Sequence, residues 1–190
     1  PQGIVYVDLN HYQTSEIQFD VNTHEYKKIG GGNSFDTGKA WSDKLAIYSG
    51  DMIAISFRCG GSLDIMVGFI PDIDITSWGP EFSHSFYCIS WQDRFLVMEY
   101  GAWILIDKGK YFNSDYVFTI ELQTDGTAKY YVNDGISTYD IYPLDPSIQG
   151  PIHVYTPNTP NIKWPVYAGV AMFTQGSTVS DFKFVFTPSP

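Results

Sequence analysis

The chain has 190 residues, of which 44% are hydrophobic and 17% aromatic, and its 11 lysines and arginines against 21 aspartates and glutamates give a formal charge of -10. That length suits one domain with a sizeable core, burying roughly 70% of the extended-chain surface. The acidity argues against nucleic acid, whose binding rests on basic patches that release counterions, and against anionic membrane surfaces; its plain reading is solubility.

Strands recur at short intervals along the chain, as in a sandwich. The first is expected over Ile4 to Leu9. Ile17, Phe19 and Val21 then alternate with polar residues, and Asn22, Thr23 and His24 turn the chain into a strand from Glu25 to Ile29. Gly30 to Asn33 reads as a loop; no Lys-Ser/Thr pair and no helix follow it, so it is not a phosphate cradle. Leu45 to Tyr48, Met52 to Cys59 and the strongly apolar Leu63 to Ile70 come next. Ser85 to Trp91, Phe95 to Tyr100 and Ala102 to Asp107 form another run, with Gln92 and Asp93 as a hairpin turn. Nowhere do apolar residues keep helical spacing over three turns.

The clearest local pattern is DYVFTIELQTDGTAKYYVNDG, from Asp115 to Gly135. Val117, Thr119 and Glu121 alternate with Phe118, Ile120 and Leu122, the period of a half-buried strand. Asp125 and Gly126 supply a tight turn, since glycine accepts the positive φ of a primed turn. Lys129 to Asn133 returns, and Asn133, Asp134 and Gly135 break the chain again. Thr138 to Tyr142, Val166 to Phe173 and Val179 to Phe186 complete the strands, the last two separated by Gln175, Gly176 and Ser177.

Two segments do not read as strands: PDIDITSWGPEFSH, from Pro71 to His84, and PLDPSIQGPIHVYTPNTPNIKWP, from Pro143 to Pro165. Connections as long as the second are often functional, and its prolines pre-set much of its backbone. One domain is expected over residues 1–186, with 187–190 as a linker-like tail. The chain begins at Pro1 without a methionine, which reads as a processed or excised segment. No apolar run approaches the roughly 20 residues of a membrane span, so no direct membrane insertion is expected. Cys59 and Cys88 both fall in strands, where a disulfide and two buried thiols fit equally well. Without a C-x-x-C pair, a structural zinc site is not expected.

Taken together, the apolar Val67-Gly68-Phe69 strand, the Tyr87-Cys88-Ile89-Ser90-Trp91 strand, the hairpin with its leading Gly109 to Ser114, and PVYAGVAMFTQGSTVSDFKF from Pro165 to Phe184 resemble the concanavalin A-like jelly-roll superfamily. The likeness spans about Ile17 to Phe186 and is nearest to SPRY-like and lectin-like modules. It implies an all-β fold: a sandwich of two antiparallel sheets with loops at its rim, in which the hairpin is scaffold. Relatives often turn with Asn-Gly alone, whereas Asp134 intervenes here, so a bulge is expected at that turn.

Jelly-roll glycosidases carry paired glutamates in a Glu-x-Asp-x-x-Glu strand, the acid and its partner about 5 to 9.5 Å apart. Glu16, Glu25, Glu81, Glu99 and Glu121 match no such pattern. His11, His24, His84 and His153 are scattered, and no G-x-S-x-G elbow accompanies them, so nucleophilic catalysis is not indicated. Cys88 lies in an apolar strand and reads as packing. Asp72 and Asp74 would point to one side of an extended segment, as calcium ligands do, and calcium lectins of the superfamily use acidic loops; solvated loop acids are the alternative, and no other cofactor is indicated. Trp91 and Trp103 lie in strands and are expected in the core. Trp78 and Trp164 lie in the irregular segments with His153, Tyr155, Asn158 and Asn161, and aromatic faces beside amides and carboxylates grip sugars or polar peptides. The resemblance and these residues imply a non-catalytic module that binds a glycan or surface receptor on a secreted, cell-surface or virion-attached protein. The alternatives are a SPRY-like domain that binds a protein partner and a structural capsid or spike domain.

Overall fold

A computed structural model of the chain describes residues 3–12, 15–43, 52–71, 82–89, 94–99, 102–107, 112–122, 128–142 and 166–187. In these, the chain forms β1 (Gly3–Tyr6), β2 (His11–Tyr12), β3 (Ile17–Asp20), β4 (Glu25–Lys28), β5 (Lys39–Trp41), β6 (Met52–Gly60), β7 (Ile65–Pro71), β8 (His84–Cys88), β9 (Arg94–Glu99) and β10 (Ala102–Asp107). There follow β11 (Val117–Leu122), β12 (Ala128–Asn133), β13 (Thr138–Tyr142), β14 (Val166–Met172) and β15 (Thr178–Thr187). A single 3-10 turn, Phe35–Thr37, precedes β5. The first strand is shorter than its sequence suggests, and β2 and β5 are too short to announce themselves by periodicity. The expected Leu45 to Tyr48 strand and the turns at Gln92–Asp93 and Asp125–Gly126 lie outside the described residues.

The strands make two antiparallel sheets. Sheet A has eight strands in the order β13-β12-β11-β6-β15-β4-β3, with β1 also paired to β15. Sheet B has seven, in the order β10-β9-β8-β7-β14-β5-β2. Period-2 alternation explains the layering. Phe118, Ile120 and Leu122 of β11 turn inward, as do Ile53, Ile55 and Phe57 of β6 and Val67 and Phe69 of β7, and all are buried in one cluster between the sheets. Phe86 stands at its centre, its ring 5.2 Å from that of Phe118 and 5.3 Å from that of Tyr130.

Two bulges shape sheet A. Along β15 the register slips between Ser180 and Lys183 opposite β6. Asp181 sits there at a φ of 49, and its carboxylate is held by the Arg58 guanidinium. The bulge expected near Asp134 lies further back, where the β12–β13 register slips between Tyr130 and Tyr131. The turn itself is closed by Asp134, whose carboxylate accepts from the Ile136 and Ser137 amides, both at 2.8 Å.

Candidate functional site

Sheet B is buried on both of its faces along β7 and most of β14. The inner face belongs to the core. The outer face carries a second cluster of Met66, Ile70, Phe82, Ala171 and Phe35, with Trp41, Tyr87, Met98, Tyr167 and Phe173 packed around it. Phe35 is delivered by the 3-10 turn, which Ser34 caps by accepting from the Asp36 amide at 3.2 Å. The glycine loop before it is anchored by buried Lys28, whose Nζ donates to the carbonyls of Ser34 at 2.6 Å and Phe173 at 2.7 Å. Burial, followed by the nearby Asp64 charge, pushes the Tyr87 phenol up to about 12, so its hydroxyl stays neutral.

One row crosses this face from strand to strand. His11 pairs with Trp41, Trp41 with Gly169, Gly169 with Gly68, Gly68 with Ser85, and Ser85 with Met98. Side chains therefore vanish in the middle of the row and are large at its ends. A Cβ on Gly68 would run into the His84 carbonyl and the Ser85 backbone, so only glycine fits. Above Gly169 lies the end of Ile70, 2.6 Å from where a Cβ would stand. The cleft left between Trp41, Ile70, Phe82 and Ala171 measures ≈ 10 Å³, about the room one water needs. Among the described residues, this part of the outer face offers a platform and a small cleft.

At one end of the platform the rim becomes polar. Asn10 Nδ2 donates to Asp43 at 3.0 Å and His11 Nε2 lies 2.6 Å from the other Asp43 oxygen. The His11 ring is nearly parallel to Trp41, with centroids 6.1 Å apart. The His11 bond, then the Asn10 bond, holds the Asp43 carboxyl below the usual carboxylate range. Asp43 and His11 are both well exposed, so a stacked imidazole, an amide and a carboxylate face solvent together.

The residues singled out by sequence, Trp78, His153, Tyr155, Asn158, Asn161 and Trp164, lie outside the described residues, as do Asp72, Asp74 and Trp91. The described strands do fix where their segments leave and rejoin the sandwich. Pro71, expected to open one irregular segment, is instead the last residue of β7, and it pairs directly with Val166, the first residue after the other segment. Trp41 pairs with Gly169, midway along that same strand, and the polar Asn10–His11–Asp43 group stands beside it on the β5–β2 edge of sheet B. Among the described residues, no group of three metal-ligating side chains occurs, and no helix is long and apolar enough to cross a membrane.

No protein-family model matches the chain, and no curated protein matches it by sequence. Solved structures do match. Arcelin-5, a lectin-like defense protein from Phaseolus vulgaris, is similar with a TM-score of 0.56 at 8% identity, over 98% of this chain and 98% of that one. The TRIM65 PSpry domain is similar with a TM-score of 0.54 at 10% identity, over 93% and 90% of the two chains. The fold is the concanavalin A-like jelly roll. An endo-1,3-beta-glucanase from Streptomyces sioyaensis shares it at a TM-score of 0.50 and 12% identity, over 93% of this chain and 80% of the enzyme. Such low identities establish the jelly roll and leave function to the site.

Sequence reading missed one cluster inside this jelly roll. His84 of β8 and Glu99 of β9 meet in the core, Nε2 to Oε1 at 3.9 Å, with both side chains fully buried. Tyr130 of β12 donates to the same Glu99 oxygen at 2.9 Å, and Ser83 Oγ lies 3.0 Å from His84 Nδ1. Burial lowers the His84 pKa from 6.5 to about 4. The signal was present: His84 is in phase with Phe86 and Cys88, and Glu99 with Phe95 and Val97, so both fall on inward positions. The pair is sealed from solvent and presents nothing to a substrate.

Proposed function

We propose that this jelly roll is a non-catalytic recognition module that holds a glycan through its two proline-containing segments, Pro71 to His84 and Pro143 to Pro165. The observation that carries this reading is the pairing of Pro71 with Val166. These two residues flank the segments that carry Asp72, Asp74 and Trp78 and His153, Tyr155, Asn158, Asn161 and Trp164, so the segments are anchored at neighbouring points of sheet B. The exposed Asn10–His11–Asp43 group and Trp41 lie on the β5–β2 edge of the same sheet, and they offer the stacking surface and polar partners that sugar hydroxyls and ring faces require. Asp72 and Asp74 would hold calcium there if the site is cation-dependent. Lectin-like relatives of the fold fit an extracellular setting.

A second reading has its own support. The outer cluster of sheet B is rich in methionine and aromatic side chains, Met66, Met98, Tyr87 and Tyr167 among them. Such adaptable surfaces suit a peptide, as in a SPRY-like interaction domain.

A glycan array separates the two. Wild-type protein is expected to bind a defined set of glycans, and Trp164→Ala and His11→Ala each to lower affinity at least about tenfold, about 1.4 kcal/mol. A blank array, or binding that neither substitution weakens, would remove the glycan reading. A melting shift on adding chelator would support Asp72 and Asp74 as ligands, and its absence would count against them.

A further inference from the structure

The chain has two cysteines, and they face each other across the sandwich. Cys59 lies at the end of β6 in sheet A and Cys88 at the end of β8 in sheet B. Both are inward positions of their strands, in phase with Phe57 and Phe86, and their exposures are 2% and 1%. The two are free thiols with sulfurs 3.3 Å apart. A disulfide needs about 2.05 Å, so closing the bond asks for a shift of about 1.3 Å. With no third cysteine in the chain, no competing pairing exists.

We infer that Cys59 and Cys88 form an inter-sheet disulfide when the chain folds in an oxidising medium. The oxidant is a small-molecule disulfide of the oxidised-glutathione class. One cysteine thiolate attacks it, forming a mixed disulfide and releasing one thiol. The second cysteine thiolate then attacks the protein sulfur of that mixed disulfide, forming the Cys59–Cys88 bond and expelling the second thiol. The two protons lost by the cysteines end on the two released thiols, so the protein loses two hydrogens and two electrons and the glutathione disulfide gains them. The exchange takes place before the sheets close, because contact with Cys88 and burial push the Cys59 thiol well up in the folded protein and seal it from reagents. The bond would tie sheet A to sheet B through the core and close the loop from β6 to β8, whatever ligand the rim takes. Such bonds persist outside the cytosol, so the inference also bears on where the module works.

The test is refolding of the full chain in a mixture of reduced and oxidised glutathione, followed by unfolding in denaturant with iodoacetamide and measurement of intact mass. The expected product carries no alkyl groups and is lighter by two hydrogens than the reduced chain. It should also melt roughly 10 °C above the form kept in reductant, a gap that vanishes in the Cys59→Ala, Cys88→Ala double variant. Two alkylated cysteines, or glutathione left on either one, would overturn the inference. If the double variant does not fold, the wild-type comparison decides alone, since its two forms differ in no residue.

Discussion

On the outer face of sheet A, Thr119, Glu121, Tyr131 and Asn133 are half-buried and Lys129 is exposed, alternating strictly with core residues. On the outer face of sheet B, Met66, Ile70 and Ala171 are nearly as buried as the core itself. A two-layer sandwich has no third layer to cover either face. Along β11 and β12 sheet A meets water with polar side chains, whereas at its other end Ile4, Val5 and Tyr6 of β1 and Phe19 of β3 are exposed. Sheet B presents apolar and aromatic side chains and recruits Phe35, Phe82 and Phe173 to screen them. Loop residues thus bury an outer face that the strands alone would leave apolar and exposed.

The strongest test of this contrast deletes one side chain from each cluster. Phe86→Ala removes a fully buried ring that contacts Phe57, Phe95, Phe118 and Tyr130, and should cost about 3–5 kcal/mol. Met66→Ala acts in the thin outer cluster, where neighbours can settle inward, and should cost about 2 kcal/mol. Urea titrations with unchanged slope measure both. If Met66→Ala proved as damaging as Phe86→Ala, the outer cluster would be a second full core and not a partly open platform.

The buried polar cluster gives a test of nearly the same size through pH. His84 ionises near 6.5 when unfolded and about 4 when folded. Above pH 6.5 both states hold the ring neutral, and His84 adds no pH dependence. Between pH 6.5 and 4 the unfolded chain takes up a proton that the folded chain refuses, so stability falls as pH falls. The loss levels off below about pH 4. That gap is worth at most roughly 3 kcal/mol; Glu99 faces the ring from β9, and Tyr130 of β12 donates to Glu99. Denaturant titrations at pH 7.5 and 4.5 should show a steeper loss for wild type than for His84→Gln. Equal losses in the two proteins would show that burial does not hold this ring neutral.

Much of the fold was legible because the strands obey a two-residue period. The hairpin from Val117 to Asn133 was placed by alternation alone, and it pairs in the register that alternation demands. The short strands β2 and β5 were not legible, since two or three residues carry no period. The polar core was not read from the sequence: His84 was expected at the end of an irregular segment, whereas it opens β8 in phase with Phe86 and Cys88, and only the β8–β9 pairing brings it to Glu99. The outer face of sheet B was the least legible part. An apolar run such as Ile65 to Ile70 announces burial on both faces, yet nothing in the run says that Phe35, some thirty residues earlier in the chain, supplies the cover. The Asn10–His11–Asp43 group was missed for the same reason, because its members meet only through the β2–β5 pairing.

The finest test compares the two glycines in the row across sheet B. Gly68 has backbone against it: an added methyl would meet the His84 carbonyl and the Ser85 backbone, and neither can move without breaking the β7–β8 ladder. Gly169 has chiefly a side chain against it, the flexible end of Ile70, with the Ala40 carbonyl next at 3.1 Å. Gly68→Ala should therefore cost about 2–3 kcal/mol, or roughly 5–10 °C in melting temperature for a chain of this size. Gly169→Ala should cost under about 1 kcal/mol, because Ile70 can change rotamer into the small cleft beside Trp41. Shortening Ile70 to valine should then make Gly169→Ala milder still, a coupling that a double-mutant cycle reads directly. A larger loss at Gly169 than at Gly68 would mean that Ile70 is locked in place, and that the platform between Trp41 and Met98 is already closed to any ligand.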